Sequence, residues 1–457
     1  MIDLQNVSFQ YADSNYGVTN INLAIKAGEC VVLTGKSGCG KTTITRLING
    51  LAPKYYKGTK KGSIRIAGKD VEMMPSYDIG KIVGSIFQDP QRQFFSSELE
   101  GEIAFGCENY GFSKFEIQKR TKDAIHKMRL ESIGKISLDL LSSGEKQRAA
   151  VASVYAMHPA VFVFDEPTAN LDKDGIIQMK SILMQLKKAG YTLLIAEHRL
   201  SWTEELADRY LYMKDGQIQH EYSSLEFSTM NDLERISKGL RCIINRPFTK
   251  QIAPPRTDNI AIQGERISLK KNKKQILKNV DIFANEKSIT AITGNNGVGK
   301  TSLALILSGL EKLTEGNVYI HGEKAGYRNL RKHTYYCSND TGTQFFTESV
   351  SKELLLGTKY DAENLENAKK LLKDMCLYEY KDSHPASLSG GQKQRLAVCC
   401  ALLSGKNILI LDEPTSGLDA ENMFLVAREL KKAAEKEKTI FVITHDEEFM
   451  DTCCEYS

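Results

Sequence analysis

The chain has 457 residues, 41% hydrophobic and 26% charged, which suits two globular domains of ordinary composition. Its net charge of +4, from 61 basic and 57 acidic residues, is too even to argue for nucleic acid by bulk electrostatics. No apolar run approaches the roughly 18–20 residues of a membrane helix, so action at a membrane requires docking onto another protein.

The opening, MIDLQNVSFQ, alternates like a strand and does not read as a signal peptide. Further strand-like segments, INLAIKAGE and CVVLTG, lead into a glycine-rich loop, GKSGCGKT, from Gly35 to Thr42. Helical periodicity predicts helices over 114–129 and 175–188. Between them lie LSSGE, from Leu141 to Glu145, and VFVFDEP, whose apolar strand ends at Asp165. TLLIAEH then carries His198, and YLYMKDGQIQHEY predicts a hairpin about Asp215 and Gly216. Pro254 and Pro255 mark a linker.

After the linker the pattern restarts. IAIQGERISL and KNVDIFANE precede GNNGVGKT, from Gly294 to Thr301; LSGGQ (Leu388 to Gln392), ILILDEP (Asp412) and TIFVITH (His445) follow. From LSSGE to His198 and from LSGGQ to His445 the offset stays at 247 residues. Four motifs repeated in the same order, the last three at one offset, indicate a tandem duplication. The expected division is a first domain at 1–225, a linker at 226–258 and a second domain at 259–457. The second copy is expected to lack the terminal hairpin of the first.

The ten cysteines include no CxxC pair, and the neighbours Cys399–Cys400 and Cys453–Cys454 suit neither a disulfide nor zinc. Reduced, mostly buried thiols of a cytosolic protein are expected.

A GxxxxGK[ST] loop wraps a polyphosphate with backbone N–H groups, and glycine lets the backbone come close. The first loop offers Gly35, Lys36, Ser37, Gly38, Cys39, Gly40, Lys41, Thr42 and Thr43; the second offers Gly294, Asn295, Asn296, Gly297, Val298, Gly299, Lys300, Thr301 and Ser302. Lys41 and Lys300 would reach the β- and γ-phosphates. Thr42 and Thr301 would ligate Mg²⁺, with Asp165 and Asp412 completing its site. Glu166 and Glu413 are placed to polarise an attacking water, and His198 and His445 to hydrogen-bond the γ-phosphate and that water.

These motifs resemble the ATP-binding subunits of ABC transporters over nearly the whole chain outside the linker. The resemblance implies an α/β fold of two tandem P-loop NTPase domains. Each would carry a mixed or parallel core sheet, an antiparallel β subdomain and a helical signature subdomain. ATP and Mg²⁺ are the implied cofactors. It further implies an intramolecular dimer of the two domains, each signature closing over the other's phosphate loop. Ser389, Gly390, Gly391 and Gln392 would then complete site one, and Ser142, Ser143, Gly144 and Glu145 site two. Tyr11 stands where the family stacks a ring on adenine.

The segment FQDPQRQFFSSELEGEIAFG, from Phe87 to Gly106, looks like the glutamine loop of energy-coupling factor importers. The resemblance assigns Gln88 to sensing Mg²⁺ and the γ-phosphate. It makes Gln93-Phe94-Phe95 and Gln344-Phe345-Phe346 parts of grooves for a membrane subunit. The implied partners are a polytopic transmembrane coupling subunit and a small substrate-binding membrane protein, with no nucleic acid. The implied location is peripheral, on the cytoplasmic face of the membrane, and the implied cargo a vitamin or metal-type micronutrient. Alternatives are a tandem ATPase acting on the ribosome, of the ABC-F kind, and a sugar-importer ATPase.

Three departures fall on site two. Asn339 replaces the loop glutamine, Lys271 stands where Tyr11 stands, and Ser143 where a signature glycine stands. Site one is therefore expected to turn over faster, with site two mainly holding nucleotide.

Overall fold

Val161, Phe162, Val163 and Phe164 form an unbroken apolar run, and such a run makes a stable strand only where both faces of its sheet are covered. That is their environment in the computed structural model, which describes residues 1–12, 16–133, 136–169, 171–242, 259–271 and 274–456. Val161 and Val163 enter one hydrophobic cluster, with the antiparallel sheet of residues 2–66; Phe162 and Phe164 enter another, among the helices. The side chains alternate as the two-residue period of a strand requires. The second copy repeats the division, with Ile408 and Ile410 on one side and Leu409 and Leu411 on the other.

The chain divides into two units, Met1–Asn245 and Arg246–Ser457. Among the described residues the first has a six-stranded core sheet. Its order is Gln217–Ser223, Arg209–Lys214, Cys30–Gly35, Thr192–Ala196, Val161–Asp165, Val83–Ile86. All neighbours are parallel except the first two, the hairpin expected about Asp215 and Gly216. A four-stranded antiparallel sheet, built on Ile2–Tyr11, packs on one face. The helices expected over 114–129 and 175–188 are Lys114–Lys127 and Lys173–Lys188.

The second unit has a four-stranded parallel core sheet: Ile289–Ile292, Thr439–Ile443, Ile408–Asp412, Thr334–Cys337. Its antiparallel sheet is built on Ile260–Lys271. No hairpin follows among its described residues; Tyr456 forms only a bridge to Thr290. The mixed or parallel core sheet, antiparallel subdomain and signature helix implied by the resemblance are thus present in both units.

The segment 226–242, expected within the linker, packs on the first unit instead. A capping box between Ser223 and Glu226 starts helix Ser224–Ser228. That helix turns Phe227 inward to stack on Tyr210 at 3.9 Å between ring centres. Leu240 is buried in the same cluster, and Tyr212 donates to the Lys238 carbonyl at 3.1 Å. Residues 243–258, with Pro254 and Pro255, lie outside the described residues. Of the cysteines, Cys30, Cys39, Cys107, Cys337, Cys399, Cys453 and Cys454 are buried and Cys376 is exposed.

Candidate functional site

In each unit the glycine-rich loop joins a buried strand to an eight-residue helix, Lys41–Ile48 or Lys300–Leu307. The turn into the first helix is made by Gly40 at φ 105°, where a Cβ would lie 2.6 Å from Val18 Cγ1. Only glycine suits both that angle and that space. Lys41 is buried and spans the loop, donating to the carbonyls of Gly35 (2.9 Å) and Lys36 (3.2 Å). Lys300 likewise donates to Gly294 and Asn295. The loops thus hold their ammonium groups where the backbone N–H groups and the helix N-terminus also favour an anion.

Both threonine–aspartate pairs form. Thr42 Oγ1 donates to Asp165 Oδ1 at 3.3 Å, and Thr301 Oγ1 to Asp412 Oδ2 at 2.9 Å. Burial raises both carboxyls above their ordinary pKa, offset in part by the threonine hydrogen bonds. A hydroxyl and a carboxylate side by side are hard oxygen donors of the kind Mg²⁺ takes, so these residues fit that ion.

Glu166 and Glu413 leave the strand in the left-handed region, at φ 49° and 48°. Their N–H groups are tied to the carbonyls of Ala196 (2.8 Å) and Ile443 (2.8 Å) on the neighbouring strand. The side chains are held differently. Gln88 Nε2 donates to Glu166 Oε2 at 2.8 Å, and His198 Nε2 lies 3.4 Å from Glu166 Oε1. Glu413 Oε2 instead accepts from Thr444 Oγ1 at 3.1 Å, with His445 Nε2 at 4.0 Å from Oε1. Asn339, expected in the glutamine's role, is exposed; its backbone carbonyl accepts from Thr341 N–H at 3.0 Å. The glutamine-to-carboxylate contact of the first unit is therefore replaced by Thr444.

Burial, reinforced by Lys41 and Arg241, holds the His198 imidazole well below its ordinary pKa, so it is neutral at pH 7. A neutral ring beside Glu166 accepts or donates one hydrogen bond and leaves the carboxylate its charge. His445 Nε2 lies 3.1 Å from Lys300 Nζ and 3.3 Å from Asn296 Oδ1.

Each signature opens a helix, Ser143–Tyr155 or Gly390–Leu403, through a capping box. Gln392 Oε1 accepts from Ser389 N–H at 2.8 Å. Glu145 Oε2 accepts from both Ser142 N–H (2.8 Å) and Ser142 Oγ (2.7 Å). The first unit's signature helix thus starts with a carboxylate at the end that favours anions, whereas the second starts with a neutral amide. Gly144, and Gly390 and Gly391 in the other copy, lie within the first turns of these helices.

Tyr11 lies beside the first loop, its hydroxyl 3.3 Å from Thr43 Oγ1 and accepting from Arg46 Nη1 at 3.0 Å. Arg46 in turn lies 3.8 Å above the Tyr56 ring. Lys271 is paired instead with Glu311 at 2.6 Å.

The Phe-Phe pairs divide. Phe94 and Phe345, expected to line grooves, pack against the cores of their units, while Phe95 and Phe346 are 75% and 80% exposed. The cause is a buried carboxylate. Glu102 accepts from the N–H groups of Phe95 (2.7 Å) and Ser96 (2.9 Å), and Glu353 from those of Phe346 (2.9 Å) and Thr347 (2.8 Å). Each loop is pinned so that the second phenylalanine projects outward, and Phe95 stacks on Phe105 at 4.8 Å.

Sequence reasoning missed one further link. Thr168, two residues past Glu166, donates to buried Glu197 at 2.7 Å, and Glu197 accepts the N–H of His198 at 2.8 Å. Thr415 donates to Asp446 at 2.8 Å in the second unit. The threonine after each DEP is therefore tied to the residue beside each histidine. The EPT strings and the acidic neighbours of His198 and His445 are its only sequence signals.

A family model described as ABC transporter matches residues 18–169 and again 277–416. A Treponema denticola protein named as an ABC transporter ATP-binding protein is 37% identical over 99% of this chain and 94% of its own length. A Bacillus subtilis protein named for HMP/thiamine import, YkoD, is 29% identical over 99% of this chain and 88% of its own. Among solved structures, a chain of the ribosome-bound archaeal Pelota and ABCE1 assembly has a TM-score of 0.71 at 22% identity, covering 98% of this chain and 75% of that one. Two sets of phosphate loop, signature, acidic strand and histidine, with the sequence match across the whole length, place the chain in the ABC transporter ATP-binding family, as a tandem ABC ATPase.

Proposed function

We propose that this chain is the ATPase subunit of an energy-coupling factor type importer, serving uptake of a vitamin or metal-type micronutrient through separate membrane subunits. The carrying observation is the pair of outward phenylalanines, Phe95 and Phe346, each clamped by a buried glutamate, the first directly after the glutamine loop. In the first unit that loop also carries Gln88, whose amide holds Glu166. A membrane subunit seated on Phe95 is thereby connected to the carboxylate that would orient the attacking water. The likeness to a relative named for HMP/thiamine import supports the same reading. Among the described residues no helix is long and apolar enough to cross a membrane, which suits a peripheral subunit on the cytoplasmic face.

In this reading Lys41 and Lys300 hold the phosphates of ATP, and Thr42 with Asp165, and Thr301 with Asp412, hold Mg²⁺. The ion supplies neutralisation of phosphate charge when bound. Glu166 accepts the proton of the water that Gln88 and neutral His198 help position, and Tyr11 stacks on adenine. The two units close head-to-tail within one molecule, each signature completing the other's site, at the high effective concentration of a tethered pair.

The test is affinity purification from gently solubilised native membranes, repeated with Phe95→Asp and Phe346→Asp. A polytopic membrane protein and a small membrane protein should accompany the wild type and be lost from the double variant, with ATPase activity retained. Ribosomal proteins in their place would overturn the importer reading in favour of a translation role.

A further inference from the structure

The two acidic strands end alike, but their edge neighbours differ at one register position. Ser85 pairs with Val163 in the first unit, and Tyr336 pairs with Ile410 in the second. Both partners lie two residues before the metal-site aspartate. Ser85 is turned away and accepts from Asn49 Nδ2 at 3.1 Å. Tyr336 reaches along the strand end, and its hydroxyl donates to Asp412 Oδ2 at 3.1 Å. That same oxygen accepts Thr301 Oγ1 at 2.9 Å. Among the described residues Asp165 accepts from Thr42 alone, at the longer distance of 3.3 Å.

We propose that Tyr336 is a positioning residue that holds Asp412 against its metal role and lowers the Mg²⁺ affinity of the second nucleotide site. This rests on the reading that each loop binds Mg²⁺ with nucleotide. A carboxylate oxygen accepts two good hydrogen bonds readily. With both places on Oδ2 taken by protein donors, the hydration waters of a bound ion reach Asp412 through Oδ1 alone unless they displace one of them. A phenol on a half-buried strand residue is hard to move, because its ring packs against the second unit's core. The hydrogen bond therefore persists, and binding of the ion must compete with it. Among the described residues of the first unit no such competitor reaches Asp165. Tyr336 adds a departure to those at Asn339, Lys271 and Ser143, and it is the one that acts on the metal. The second site would keep nucleotide while holding its ion weakly.

The experiment uses the full chain and Mn²⁺ as the probe, read by electron paramagnetic resonance with a non-hydrolysable ATP analogue. Lys41→Ala confines binding to the second site, and Lys300→Ala to the first. Tyr336→Phe, which keeps the ring, should tighten Mn²⁺ at the second site about tenfold, the worth of one hydrogen bond to a charged acceptor. Nucleotide affinity in EDTA should be unchanged. Ser85→Tyr should weaken Mn²⁺ at the first site by a similar factor. Unchanged or weaker Mn²⁺ binding in Tyr336→Phe overturns the proposal, as does an equal shift in EDTA, which would mark a packing effect. Should Ser85→Tyr not fold, Tyr336→Phe decides alone. If the second site of the Lys41→Ala protein takes no nucleotide with or without metal, the nucleotide reading of that site falls, and this proposal with it.

Discussion

The two nucleotide sites share a backbone and differ in what grips it. Loop, strand end and left-handed glutamate superpose in kind, down to φ 49° at Glu166 and 48° at Glu413. Around the first glutamate stand Gln88 and a buried neutral His198; around the second stand Thr444 and a histidine in contact with Lys300. Duplication preserves the parts of a site that the fold itself enforces. It leaves free the side chains that set rate, because their loss does not unfold the domain.

The largest expected effect separates the sites outright. Glu166→Gln should cut ATP turnover by roughly 10²- to 10³-fold, within the range for loss of a general base. Glu413→Gln should cost less than about threefold. Steady-state rates of the two variants decide; equal losses would remove the asymmetry.

A smaller effect concerns the signature. Glu145→Gln keeps the capping geometry seen at Gln392 but removes the charge at the helix N-terminus. Under the proposed head-to-tail closure, nucleotide retained on the second loop should rise about three- to fivefold, the worth of one charge at a helix end. Retention of labelled nucleotide in a Lys41→Ala background reads this out. No change would mean that this helix end does not face the second loop.

The smallest effect is a slope. Burial depresses the His198 pKa in the folded first unit, so the unfolded chain takes up the proton first as pH falls through about 6.5. Stability should therefore be full above that pH and decline below it. His198→Gln should flatten the decline between pH 7.5 and 5.5, measured by urea midpoints. A wild-type slope left unchanged by the substitution would show that the ring is not buried neutral.

The motifs were legible because each is a local string whose chemistry depends on neighbours in sequence, as with GKSGCGKT and its following helix. The fold was legible from apolar strands such as VFVF and ILIL. What could not be read depends on register or on long-range packing. Tyr336 meets Asp412 only because Thr334–Cys337 lies beside Ile408–Asp412. The exposure of Phe95 rather than Phe94 follows from Glu102, seven residues away, whose burial no periodicity announces. The segment about Phe227 reads as linker because it has no counterpart in the second copy; the Phe227–Tyr210 stack, buried Leu240 and the Tyr212 bond to Lys238 anchor it.

The left-handed backbone at Glu166 and Glu413 limits how either copy can age. A left-handed φ is disfavoured for every side chain, most severely for β-branched ones, and least for glycine, asparagine and aspartate. The cross-strand bonds from their N–H groups hold that angle whether or not the carboxylate is used. A copy relieved of selection for hydrolysis should therefore lose its glutamate preferentially to those small or polar residues. Valine or isoleucine there would oppose the turn itself. A glutamate retained in the second copy thus has accessible replacements, and its persistence cannot be credited to the backbone.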